Sequence, residues 1–391
     1  MIPAWKGSDP MDVSVFPCKE YDLPLCREAL EKVLSPLGGL DWVRPGMKIG
    51  IKANLVSFLK PEAAATTHPT MLCALTDLLR ERGAEVIIGD SPGGLYTSAY
   101  LAPLYHATGM RETEKHGARL NQDFSQKTAD FSEAKAAKSF QYTAWLDGCD
   151  EIINFCKLKT HGMMAMSASA KNLFGTIPGT LKAEYHFKYS DPADFARMLV
   201  DLNEYWKPKL NIVDAVVGME GNGPTAGTPR PIGAVLAGTN PHKVDFACAA
   251  ILGIERSEIP TLEAAAERGL IPETLEELNI WGDLSQFFIP DYKKIETKNG
   301  LLFQNDIKGP FGKLLSPFLR HTIASRPKVV ENECVGCKKC AEVCPAKAIT
   351  MVKGKPRIHR KPCIRCFCCQ EFCPKGAMKV VRPPIAKLLN R

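Results

Sequence analysis

CVGCKKCAEVCP, at residues 334–345, returns as CIRCFCCQEFCP at residues 363–374. Each copy reads Cys-x2-Cys-x2-Cys-x3-Cys-Pro. Three thiolates at that spacing close around one face of an iron-sulfur cube, and the fourth is sent toward a second cube. The spacing therefore assigns one [4Fe-4S] cluster to Cys334, Cys337, Cys340 and Cys373, and the other to Cys363, Cys366, Cys369 and Cys344. Structural zinc is the competing reading, but zinc ribbons use two Cys pairs per ion, whereas these cysteines form two like quartets ending in Cys-Pro. A fifth thiol, Cys368, stands where the first copy has Lys339. It is expected to pack, or to donate a weak hydrogen bond near a cluster sulfur.

Over about 50 residues this tail resembles the bacterial two-cluster ferredoxin, which implies a small α+β domain with pseudo-twofold symmetry. From Arg326 to Arg391 sixteen Lys and Arg face four Glu, a balance of +12 within a chain whose net charge is +7. A solvated face that offsets cysteinates is one reading of this excess, and a docking surface for an acidic ferredoxin or flavodoxin is the other. Nucleic acid is not expected as a partner, because the basic residues are not interleaved with aromatics.

Of the fifteen cysteines in 391 residues, nine lie between residues 334 and 373, which speaks for metal ligation in a reducing compartment. Cys18, Cys26, Cys73, Cys149, Cys156 and Cys248 stand singly among apolar residues, as small core side chains do. No run approaches the roughly 20 apolar residues that span a bilayer, and the first thirty residues lack a basic head followed by an apolar stretch. A cytoplasmic protein with no membrane partner is expected.

Residues 11–290 alternate β-rich runs with amphipathic stretches, the rhythm of parallel strands joined by helices. Strands are predicted at 13–18, 47–55, 84–90, 151–159, 210–218 and 232–238, and helices at 68–83, 191–206 and 242–253. The fold class is α/β, with a large, mostly parallel sheet covered by helices on both faces. Three units are expected: an α/β domain at 1–290, a connecting arm at 291–328 and the cluster domain at 329–391. Apolar residues of the arm, such as Phe311, Leu314, Leu315, Phe318 and Leu319, are expected to lie along the main domain.

Ligands of open parallel sheets bind beyond the carboxyl ends of the strands. IKANLV places Lys52 and Asn54 at such an end, and GDSPGG offers Ser91, Gly93 and Gly94 to an anion, although ordinary turns look the same. KLKTHGMMAMSASAKNLFG, at 157–175, is the stronger signal. Lys157, Lys159 and His161 follow a strand, with Lys171 and Asn172 on a helix beyond, and so many cations near one sheet edge are costly without an anionic partner. In MEGNGPTAG, Glu220 is a candidate acid or base, and Asn222 and Gly223 are candidate ligand contacts. The glycine spacing and nearby prolines exclude a dinucleotide fold there. Residues 176–190 are expected to form a lid with Tyr185 and His186 turned inward.

With these segments in view, the whole chain resembles the ferredoxin-tailed branch of the family called domain of unknown function 362. The likeness rests on IKANLV, THP, GDSPGG, KLKTHGMMAMSASAKNLFG, VDAVVGMEGNGPTAG, NPHKVDFACAAILG and the cysteine quartets. It implies a cytoplasmic iron-sulfur protein. The expectation is an oxidoreductase whose two [4Fe-4S] clusters relay electrons between a low-potential carrier and a small anionic ligand, with Lys157, Lys159, His161 and Glu220 as catalytic candidates. The remaining candidates, Lys52, Asn54, Ser91, Gly93, Gly94, Lys171, Asn172, Asn222 and Gly223, would bind the ligand. The alternative is a non-catalytic electron-transfer or ligand-sensing protein. No flavin motif is visible, and the oligomeric state is not legible.

Overall fold

A computed structural model describes residues 10–295 and 325–381. Phe311, Leu314, Leu315, Phe318 and Leu319, and with them most of the predicted arm, lie outside the described residues.

Nine strands form one mixed sheet. From edge to edge they run Ile280–Trp281, Val13–Pro17, Thr228–Gly238, Leu210–Glu220, Glu151–His161, Lys48–Lys52, Glu85–Gly89 and Ala118–Leu120, and the short Ala165–Ser167 folds back antiparallel on Glu151–His161. The five strands from Leu210–Glu220 to Ala118–Leu120 are mutually parallel. The other side turns antiparallel at Thr228–Gly238.

Alternate residues of each strand point to opposite faces, and each face has its own core. Ile153, Phe155, Ile212 and Val235 pack with the helices Leu23–Leu34 and Pro69–Arg80. Their neighbours Cys156, Leu158, Val213 and Leu236 pack with Pro241–Ile251 and Pro260–Ala266 on the other side. The helices begin where the sequence signals them: Asp22, Asp191 and Asn240 each accept a first-turn backbone N–H, with Pro at the start of the helix. Five of the six scattered cysteines are buried, and Cys149 is half-buried.

The order of the parallel strands contains a switch. After Lys48–Lys52 the chain proceeds outward to Glu85–Gly89 and Ala118–Leu120, whereas after Glu151–His161 it proceeds the other way to Leu210–Glu220. Between Lys52 and His161 the crossovers part, and a crevice opens there at the carboxyl ends of the strands.

The small domain is α+β. Arg326–Val329 pairs with Met378–Val381, and Ile349–Val352 with Lys355–Ile358. Each cysteine copy carries a one-turn helix, Lys339–Glu342 and Cys368–Glu371. Arg326–Val329, whose first three residues fall in the predicted arm at 291–328, is thus a strand of this domain. Among the described residues no helix is long and apolar enough to cross a membrane.

Candidate functional site

A cavity of about 970 Å³ lies over the switch point, walled on one side by the sheet and on the other by the small domain. Asn54, Ser91, Gly93, Gly94, Lys159, His161, Lys171 and Asn172 line it, as does Cys344 of the first cysteine copy. Lys157, Glu220, Lys52, Asn222 and Gly223 are not among the lining residues.

Lys157, Lys159 and His161 lie on the strand Glu151–His161 itself rather than after it. At alternate positions they share one face. Lys157 is sealed away from the cavity: Nζ sits 2.6 Å from Asp214 Oδ2, with both side chains fully buried, and donates to the Tyr21 hydroxyl at 2.6 Å. Asp214 also accepts from Tyr21 and from the His68 backbone N–H. This satisfied knot closes the sheet against the THP turn. Glu220 is likewise occupied, accepting the Lys293 backbone N–H at 3.2 Å, with Lys293 Nζ at 3.4 Å and Arg230 at 3.9 Å.

Among the described residues no carboxylate pairs with Lys159. Its ammonium donates to Asn54 Oδ1 at 2.6 Å and to the Ala65 carbonyl at 2.7 Å. Burial pushes it down to about 7, and neighbouring Lys171 and Lys157 push in the same direction. Lys171 lies over the Phe174 ring at 5.5 Å, and burial lowers it as well. The turn that carries it is pinned by buried Asp245, which accepts from the backbone N–H groups of Ser169 and Ala170. Below the floor, Lys52 Nζ lies 2.7 Å from Asp90 Oδ1, and Asn172 donates to the Lys52 carbonyl.

The predicted lid contains a helix, Leu181–Lys188. His186 is buried and lines the cavity as expected, whereas Tyr185 does not line it and accepts the Gln141 backbone N–H instead. One turn before His186 stands Lys182, which the sequence reading missed. It is buried and donates to the Ser91 carbonyl at 2.6 Å and to the Ile177 carbonyl, and burial pushes it down to about 7. The i, i+4 spacing of Lys182 and His186 was the available signal.

The small domain adds the missing negative charge. Glu371 Oε1 lies 2.8 Å from His161 Nε2. His161 Nδ1 accepts the backbone N–H of Met163 and of Met164, so the ring proton sits on Nε2 and the imidazole is neutral. Burial, with Lys171 beside it, agrees in pushing this ring down to about 4. Burial alone would raise the Glu371 carboxyl, but the Nε2–H side of the neutral His161 ring and the Lys171 ammonium outweigh it and hold it well below the usual range.

The domains meet closely. A Cβ on Gly93 would stand 2.5 Å from the Phe372 ring, and one on Gly162 3.0 Å from Gln370 Oε1. Glycine leaves room for the Phe372 ring at the first position, and at the second a Cβ would make Gln370 give way slightly. Asn222 and Gly223 belong to this seam, not to the cavity: Gln370 Nε2 donates to both their carbonyls, at 2.9 and 2.8 Å, and Asn222 Oδ1 accepts from Val380 N at 3.0 Å.

The thiols of the two copies come close to one another. A small hollow is lined by Cys334, Cys337, Cys340 and Cys373 together, and Cys344 is within electrostatic reach of Cys363 and Cys369. Left-handed residues recur at equivalent places, Gly336 and Lys338 in one copy and Arg365 and Phe367 in the other, turning each loop around its centre. Ala348 N and Ala377 N donate to Cys344 Sγ and Cys373 Sγ at 3.2 Å, as backbone amides do to cluster-bound sulfur. The residues fit iron-sulfur cubes.

Residues 49–250 match the family described as domain of unknown function (DUF362), and residues 326–374 match a 4Fe-4S dicluster domain. A thylakoid-associated protein of Synechocystis sp. is 32% identical over 272 residues, which is 68% of this chain and 81% of that protein. Among solved structures, the lactate racemase apoprotein of Thermoanaerobacterium thermosaccharolyticum aligns with a TM-score of 0.40 at 11% identity, over 64% of this chain and 57% of that one.

Proposed function

We propose that this chain, which belongs to the domain of unknown function 362 family and carries a 4Fe-4S domain at its C-terminal side, is an oxidoreductase acting on a small anionic substrate or cofactor in the interdomain cavity. One observation carries the reading: Cys344, the crossing ligand of the second quartet by spacing, lines the same cavity as Lys159, Lys171 and His161. Two [4Fe-4S] clusters, one on each quartet, supply single electrons drawn from an external low-potential carrier.

The chain's own residues do the rest. Lys159, Lys171 and Lys182 neutralise the ligand, with Asn54, Ser91, Asn172 and the Gly93–Gly94 turn around them. Lys159 Nζ, balanced near neutral pH, holds or releases the proton that accompanies reduction. His161 keeps its proton on Nε2, oriented by two backbone N–H groups. Lys157 and Glu220 support the walls.

The carrier is an acidic ferredoxin or flavodoxin. Arg326, Lys328, Arg360 and Arg365 surround a groove of about 430 Å³ that also exposes Cys363, a ligand of the second quartet, and their charge supports docking there. None of the fifteen cysteines is joined in a disulfide, which supports a reducing compartment, the cytoplasm.

The test is anaerobic. Anions that raise the melting temperature of the cluster-loaded protein are mixed with dithionite-reduced protein, and cluster reoxidation is followed by absorbance. Faster reoxidation with a stabilising anion, lost in Lys159→Ala, supports the enzyme. Binding that leaves the reoxidation rate unchanged points to the relay or sensor.

A further inference from the structure

We infer that the ligand of this cavity is an amphiphilic anion, a negatively charged head group carried on an apolar body. This rests on the anion-site reading above and names the part of the ligand that charge leaves undescribed.

Volume is the first ground. The cavity measures about 970 Å³, whereas a bare carboxylate or phosphate displaces only a few waters, roughly 100 Å³. A space of this size suits a ligand of many more atoms.

Lining is the second ground. Of the large hydrophobic side chains left exposed among the described residues, Phe58, Leu95 and Phe187 all line this one cavity, at 43%, 61% and 55% exposure. They come from separate places: the loop after Lys48–Lys52, the loop after Glu85–Gly89, and the helix Leu181–Lys188. A lone exposed apolar residue needs no explanation, but three converging on one opening mark a surface that is covered in use. Phe58 is also held in place, edge-on to Tyr100 with ring centroids 5.0 Å apart.

The two chemistries sit side by side on the same helix. Lys182 and His186, one turn apart, are buried, while the next residue, Phe187, is exposed. A ligand whose head reaches Lys159, Lys171 and Lys182 therefore has an apolar wall available for its body, and a bare anion would leave that wall wet.

The experiment measures affinity by calorimetry on the anaerobically reconstituted full chain at pH 7, with acetate, benzoate, 2-naphthoate and neutral 2-naphthamide. Affinity is expected to rise about tenfold or more from acetate to naphthoate, with naphthamide far weaker than naphthoate. In Phe58→Ala/Phe187→Ala, naphthoate loses that advantage while cluster absorbance is unchanged, since both side chains are exposed. Naphthoate binding no tighter than acetate, or keeping its full advantage in the double variant, overturns the amphiphile and leaves the anion site standing. Naphthamide binding as well as naphthoate overturns the anion-site reading itself.

Discussion

His161 Nε2 and Glu371 Oε1, 2.8 Å apart, join the end of a central strand to the one-turn helix of the second cysteine copy. The imidazole is neutral, so the charge of Glu371 is directed at the cations beyond it, Lys171 first. Because Glu371 also lines the cavity, it occupies the electrostatic place that an anionic ligand would take. Two unit charges about 5 Å apart at an effective dielectric of about 20 interact by roughly 3 kcal/mol. Glu371→Gln is therefore expected to bind benzoate at least about tenfold more tightly, yet to melt at a lower temperature without ligand, because Lys171 loses its counter-charge. Thermal melts with and without benzoate check both signs at once. A fall in both quantities would refute the counter-ion role.

Proton uptake should accompany binding. Lys159 and Lys182 are each held near 7, well under the ordinary lysine value of about 10.4. Around them stand Lys52 with Asp90, Lys171, Glu371, and the rings of His161 and His186, which burial pushes down to about 4 and about 3. Those rings carry no charge above pH 6, so the change belongs to the lysines. Between about pH 7 and pH 10 the unfolded chain binds protons that the folded chain does not, and ligand-free stability rises with pH through that window. An anion needs the charged lysines, so its affinity falls as pH rises through 7. At pH 8 its binding draws protons from the buffer, and calorimetry in two buffers of different ionisation enthalpy measures the number.

Much of this was legible in the sequence, and the remainder shares one cause. The strand positions followed from runs such as AEVIIGD, where burial on both faces demands β-branched residues. The predicted strand 151–159 stops two residues short of Glu151–His161 because Thr160 and His161, before a glycine, look like loop residues, and only the fold shows that Lys159 and His161 line a crevice. Lys157 shares their chemistry and differs only in facing Asp214, which no spacing reveals. Asn222 looked like a ligand contact because an exposed polar loop and a docking loop have the same composition. Glu371 was invisible as a counter-charge, since its role depends on how the small domain meets the sheet.

That meeting can be loosened at one residue. The Asn222 side chain accepts from Val380 N at 3.0 Å and donates to the Met378 carbonyl at 3.4 Å. Asn222→Ala removes both bonds, at about 1 kcal/mol each, and strands the Val380 amide. Hydrogen exchange at Val380 is expected to accelerate about tenfold, with iron content unchanged. Protection equal to the parent protein would show that the seam is held elsewhere.

Cys344 and Cys373 decide whether the quartets cross. Cys344 belongs to the first copy in sequence but neighbours Cys363 and Cys369 of the second, while Cys373 closes the hollow of Cys334, Cys337 and Cys340. In the reduced protein, Cys344→Ala is therefore expected to abolish the same paramagnetic signal as Cys363→Ala, and Cys373→Ala the same signal as Cys334→Ala. Pairing by sequence copy instead would refute the crossing. Cys368 is fully buried, and Cys366 is its foremost electrostatic neighbour. Cys368→Ser, a near-isosteric change, is expected to keep all the iron and to shift the potential of only the cluster that Cys344→Ala removes, because a group beside one ligand sulfur tunes chiefly the cube that sulfur holds.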